Sequence, residues 1–122
     1  MKSLTVSIVL FFLMLSCIIF NSIYINEVFS EMNALLDALP DAGDTHCAES
    51  AAKICDYWEA RVDTVGLSVG YTVVDRVSEQ AATVLACANC GDLYGLRTAV
   101  ALLRDALGDM RRLEEFSIGN LL

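Results

Sequence analysis

A few side chains in this sequence have the types and spacing that chemistry uses. Cys87-Ala88-Asn89-Cys90 is a CxxC, and two thiols at this spacing can exchange electrons as a dithiol or supply half of a tetrahedral zinc site. A complete zinc site needs more ligands, and His46, Cys47 and Cys55 are the ones at hand. They serve only if the start of the second helix lies beside the end of the third, and two sequential hairpin bends are expected to hold those ends apart. A thioredoxin-like role needs a strand before the motif and a βαβ setting, whereas here the motif closes a helix. Packed thiols are the simplest expectation for Cys87 and Cys90, with a structural disulfide or a metal or redox role as alternatives. No catalytic, cofactor-binding or metal residue is assigned beyond these two thiol candidates.

The other reactive types read as structure. His46 is the sole histidine and stands at a helix start, where a first-turn residue facing water is expected rather than a base. Trp58 sits on an apolar stripe and reads as core rather than as a recognition aromatic. Arg111-Arg112 followed by Glu114-Glu115 can bind an anion, but opposite charges at three- and four-residue spacing describe a solvated helix face. The sequence shows no nucleophile-base pair and no phosphate loop, so it is read as non-enzymatic, with no cofactor or small-molecule substrate.

The elements that must position these residues begin with Leu4 to Ile25, 22 residues without a charge. At ~1.5 Å per residue they cross a ~30 Å hydrocarbon core. A cleaved signal would end its apolar region at a small-x-small site, whereas Ile18, Ile19 and Phe20 continue it. Leu15-Ser16-Cys17 resembles the end of a lipobox, yet Met14 precedes it and strongly apolar residues follow. Residues 1–25 are therefore expected to be a transmembrane anchor and residues 26–122 an acidic helical domain. Lys2 is the only charge before Glu27, which places the N-terminus in the cytoplasm and the domain outside it.

Beyond the anchor Ile25, Val28, Phe29, Met32, Leu35, Leu36 and Leu39 recur at helical spacing, so the membrane helix is expected to continue outward as far as Pro40. Asp44 or Thr45 is placed to cap a second helix, whose apolar face runs from Cys47 through Trp58 to Val69. Gly66 and Gly70 are the weakest helical positions, and a kink or tight connection is expected at Val65 to Val69, because an unbroken antiparallel partner would overrun into lipid; one long, curved helix is the alternative. A third stretch buries Val73, Val77, Ala81, Val84 and Leu85 and ends at Gly91, which suits a left-handed cap; Asp92 caps the next helix. That helix aligns Leu93, Leu96, Val100, Leu103, Leu107, Met110 and Leu113 and frays from Ser117 onward. The fold class is all-α: a transmembrane helix continuing into a small antiparallel bundle of three to four helices.

Composition limits the partners. Of 122 residues, 8 are basic and 16 acidic, and removing Lys2 leaves 7 basic residues against all 16 acidic ones downstream. Phosphate backbones and anionic lipid surfaces repel such a domain, so nucleic acid is excluded and the domain is expected to stand off the bilayer. A core this small invites help from a protein partner or a second copy.

The opening MKSLTVSIVL, the Asn21 to Ile25 exit NSIYI, the mid-chain Trp58, Val74-Asp75 followed by Val77, Asp92 before the last helix and the ending Asn120-Leu121-Leu122 together form a pattern. It resembles a family of short membrane-anchored proteins of clostridia-like Gram-positive bacteria, known only as a domain of unknown function. The likeness spans nearly the whole chain. It implies an all-α, membrane-anchored protein, often encoded near another small membrane protein, and brings no reaction with it. Family members often carry tryptophans and a His-Glu pair before that aspartate, where this chain has Thr64, Val65, Thr72 and Val73, so no polar site carries over. The functional expectation is a non-catalytic, membrane-anchored helical module that assists or assembles with another membrane protein outside the cytoplasm. The alternative is a thiol-redox or metal-binding protein using Cys87 and Cys90.

Overall fold

No proline precedes Pro40 and no glycine precedes Gly43, so nothing local interrupts a helix that starts at the N-terminus. In the computed structural model, which describes residues 1–121, α1 accordingly runs unbroken from Lys2 to Asp37. Within its apolar half the Thr5 and Ser7 hydroxyls donate to the carbonyls of Met1 and Ser3, which satisfies their polarity inside the helix itself. The two halves meet different surroundings. Side chains from Leu4 to Phe20 are largely exposed, and the helix is long and apolar enough to cross a membrane. Ile25, Val28, Met32 and Leu36 are buried.

Four further helices follow among the described residues: α2 (Cys47–Glu59), α3 (Val62–Val69), α4 (Tyr71–Cys90) and α5 (Leu93–Leu121). The expected second helix is thus two. The break that the sequence did not reveal lies at Ala60-Arg61, where the Arg61 N–H reaches back only to the Trp58 carbonyl (2.9 Å). The Tyr57 carbonyl accepts instead from Arg61 Nη1 at 3.0 Å, and the guanidinium lies 3.7 Å from the Tyr57 ring centroid. The second break falls just past the expected stretch, at Gly70, whose φ of +87° only glycine adopts readily. Gly66 stays inside α3, and a β-carbon there would come within 3.0 Å of the Tyr71 ring.

Named contacts set the order of the helices. Trp58 Nε1 donates to Ser78 Oγ at 2.8 Å and the Cys55 thiol to the Ala81 carbonyl at 3.3 Å, so α4 retraces α2. Arg76 reaches Asp109 (2.8 Å) and Asp105 (3.3 Å), tying α4 to α5. Arg104 on α5 donates to Asn33 (3.0 Å) and Asp37 (2.6 Å) on α1, and Arg111 sits over the Phe29 ring at 5.0 Å. The core lies between these helices, with Trp58, Ile54, Val77, Val84, Leu103, Leu107 and Met110 fully buried around the α1 stripe.

Two stripes are rotated relative to their expected phase. In α4 the buried set is Val74, Val77, Ala81, Val84 and Ala88, with Val73 and Leu85 at its margin. In α5 the stripe Leu103, Leu107, Met110 advances by four, three and again four residues, so its next position is Glu114, 5 % exposed, while Leu113 turns outward. α5 also stays helical to Leu121, past the expected fraying point; Leu122 lies outside the described residues. Capping is as expected at Asp92, whose Oδ1 accepts the Gly95 N–H (3.0 Å), and at Gly91 with φ +68°. At the second helix, Asp44 accepts the His46 N–H (2.8 Å) one step ahead of the first helical residue, Cys47.

Because α1 supplies one wall of the core, Met32→Ala should lower the stability of the whole domain by about 2–5 kcal/mol, the cost of deleting a buried methionine side chain. Phe12→Ala, in the exposed half, should leave the thermal midpoint followed by near-ultraviolet circular dichroism unchanged.

Candidate functional site

The CxxC closes α4, and its two thiols diverge. Cys90 is exposed on the last helical residue. Cys87 is half-buried in the corner between α4 and α5, where its sulfur would lie 2.9 Å from a β-carbon placed on Gly95. The Asp92 carboxylate closes on the same point. Gly95 is therefore a close-approach glycine, and Cys87 fills the space that its missing side chain leaves. Below the corner the Asp92 N–H donates to the Cys87 carbonyl at 3.1 Å, which finishes the helix.

The separation expected between the zinc-ligand candidates is corrected by the fold. Since α4 retraces α2 from Trp58-Ser78 through Cys55-Ala81, the start of α2 arrives beside the end of α4, and Gly91 approaches the Ala42 carbonyl. Proximity of the helix ends does not assemble a ligand set, because among the described residues no three Cys, His, Asp or Glu side chains are grouped so as to hold a metal ion. Cys47 faces the core, and burial, with Asp44 and Asp41 nearby, pushes its thiol pKa up. Cys55 is pushed up by burial and by Glu59 and Asp56. All five cysteines are free thiols in the structure.

His46 stands at the cap of α2 with its Nδ1 3.6 Å from Glu49, both exposed. Trp58 is core, as its stripe position implies. The Arg111-Arg112 face divides: Arg111 pairs with Glu115 at 3.2 Å and Arg112 with Asp109, whereas Glu114 points inward. Hydrogen bonds from Arg112 and Arg76 hold the Asp109 carboxyl below the usual carboxylate range, and burial pushes Glu114 up.

A second region lies where α3 meets α1, and sequence reasoning missed it. The Ser68 hydroxyl donates to Asn21 Oδ1 at 2.6 Å, joining α3 to a residue inside the apolar stretch. A groove opens between the two helices, walled by Met14, Cys17 and Phe20 on one side and Thr64 and Leu67 on the other. The signal available in the sequence was the run Thr64 to Val74, which carries no charge.

With this geometry established, comparison with protein families, curated proteins and solved structures finds no match to the chain.

Two outcomes test these readings. Gly95→Ala should destabilise the fold by about 1–3 kcal/mol through overpacking against Cys87 and Asp92, which outweighs the ~1 kcal/mol that alanine gains over glycine in a helix. A rise in the thermal midpoint would contradict that corner geometry. Glu114 has a folded pKa above its unfolded value, so its contribution is fully present below the unfolded pKa, ~4.3, and is lost as pH rises through the folded one. Glu114→Gln should thus stabilise at pH 7 by on the order of 1 kcal/mol, with the gain vanishing near pH 3.5 in pH-dependent melts.

Proposed function

We propose that the protein is a non-catalytic, single-pass membrane module, with its N-terminus in the cytoplasm and an acidic antiparallel helical bundle held outside, that acts as an accessory or assembly partner of another membrane protein. One observation carries this reading: α1 is a single helix whose first half exposes apolar side chains along its length while its second half forms a wall of the core. Such a helix cannot act as a detachable tether, and it fixes the domain against whatever holds its apolar half. The charge on either flank supports the orientation, with Lys2 before the apolar stretch and Glu27 and Glu31 after it. The use of the polar groups supports a non-catalytic role. Arg76, Arg104, Arg111 and Arg112 are each engaged with carboxylates that brace helices, and His46 with Glu49. The likeness to small membrane-anchored proteins noted in the sequence agrees with both.

The chain has two lysines, Lys2 and the exposed Lys53, which allows one experiment to address partner and orientation. A membrane-impermeant crosslinker with one amine-reactive and one photoreactive end is applied to intact cells and the products are read by mass spectrometry. The expected product links Lys53 to a second membrane protein and leaves Lys2 unmodified until lysis. Recovery of only labelled monomer or self-linked chain would overturn the assembly role, and labelling at Lys2 instead of Lys53 would reverse the orientation.

A further inference from the structure

The membrane reading above leaves open how the domain sits on the bilayer, and the α3 corner supplies the constraint. Asn21 lies on the bilayer side of Ile25 by about 6 Å, at ~1.5 Å per residue. Its hydrogen bond to Ser68 therefore fixes α3 beside the apolar stretch instead of above it. Leu67, next along α3, is 83 % exposed and shares a groove with Met14 and Cys17, which lie deeper in the same stretch. The chain from Thr64 to Val74 holds no charge, so no ionised side chain in α3 beyond Asp63, in Gly70 or in the first turn of α4 opposes contact with the bilayer.

The end of α5 arrives at the same level. Arg104 is opposite Asn33 and Asp37, and Arg111 is opposite Phe29, so α5 descends along α1 toward the apolar half. Phe116 lies a further turn down, 68 % exposed, and lines a groove with Leu113, Asp109 and Arg112 of α5 and Val73 at the start of α4. Tyr71, also exposed, is the residue at which α4 begins. An exposed tyrosine and phenylalanine at the base of the domain match the aromatic side chains that gather at a membrane-water interface.

From the tie between Ser68 and Asn21 and the uncharged corner around it, we propose that the α3-α4 corner is seated in the outer leaflet of the bilayer that α1 crosses, with Leu67 among the acyl chains and Tyr71 and Phe116 at the headgroup level. The occupant of the groove between α1 and α3 is a lipid acyl chain, because both walls are uncharged, the α1 wall is mostly apolar and Leu67 faces it from α3, and both lie at the depth of the span. Part of the acid surplus expected to hold the domain off the bilayer acts at the opposite end, where Asp37, Asp41, Asp44, Glu49 and Asp92 lie near the α1-α2 turn and the α4-α5 corner, whereas Asp63 and Asp75 bound the uncharged run and confine the seat to residues 64–74. Seating makes the domain a monotopic foot around its own anchor, and fixes which faces of α4 and α5 a neighbouring protein can reach.

This inference rests on the anchor reading, and the test separates the two. The full chain is placed in phosphatidylcholine vesicles with acyl chains brominated near the bilayer middle or left unbrominated. Three single variants each add a tryptophan to the buried Trp58: Leu67→Trp in the corner, Phe12→Trp in the span and Asn89→Trp at the far end of α4. The fluorescence of Leu67→Trp is expected to be quenched by the brominated lipid at least half as strongly as that of Phe12→Trp, and to be several-fold less accessible to acrylamide than that of Asn89→Trp. If Phe12→Trp is quenched while Leu67→Trp behaves as Asn89→Trp does, the seat is overturned and the anchor stands. If Phe12→Trp is not quenched, the anchor reading fails and the seat with it. Should Leu67→Trp lose its helical circular dichroism, Thr64→Trp on the same exposed corner gives the same reading.

Discussion

α1 exposes apolar side chains along one half and supplies a wall of the core along the other without a break in its backbone, and the rest of the fold is arranged around that constraint. A helix satisfies its own backbone hydrogen bonds in either surrounding, so continuity costs nothing at the boundary. What changes at the boundary is which side chains have neighbours: Phe20 and Ile23 have few, whereas Ile25 and Val28 are fully covered. The covering helices α2 and α5 take their register from this stripe. Arg104 bridging Asn33 and Asp37 and Arg111 over Phe29 hold α5, and Ser68 on Asn21 holds α3, at successive heights along α1.

The polar chemistry of the molecule is spent on that register. Isolated surface ion pairs stabilise by about 0–1 kcal/mol, but Arg76 binds both Asp105 and Asp109, and Asp109 also takes Arg112, so the Asp109 carboxylate is shared between two arginines on two helices. Its depressed pKa means that this contribution is present above the unfolded carboxylate pKa and is lost as pH falls through the folded value. Glu114 works in the opposite direction, since burial disfavours its charge. The two sit five residues apart on α5, one fixed by partners and the other by an apolar setting.

The thiols show how position decides character. Cys47 and Cys55 lie in or beside the core with raised pKa values, Cys87 fills the gap over Gly95, and only Cys90 of the CxxC pair presents itself to water. Spacing alone left the motif open between packed thiols, a disulfide and a reactive pair. In the fold its first cysteine is a packing residue for the α4-α5 turn.

Local chemistry determined much of this protein. The uncharged run from Leu4 to Ile25, the glycine cap at Gly91 and the Asp92 N-cap all follow from residue type and helical period and are found where the sequence puts them, and the apolar continuation expected as far as Pro40 ends as helix at Asp37. The break at Ala60-Arg61 was not legible, because it depends on Arg61 taking the Tyr57 carbonyl and ring, and side-chain competition for a backbone acceptor has no periodic signature. Nor was the inward turn of Glu114 in place of Leu113, since a residue's phase on a long helix is set by the neighbour it packs on. Only the tertiary structure brought the start of α2 beside the end of α4 and laid Ser68 against Asn21. Those meetings join residues distant in the chain, and their positions depend on the angle at which short helices turn, which is fixed by packing and not by any local preference.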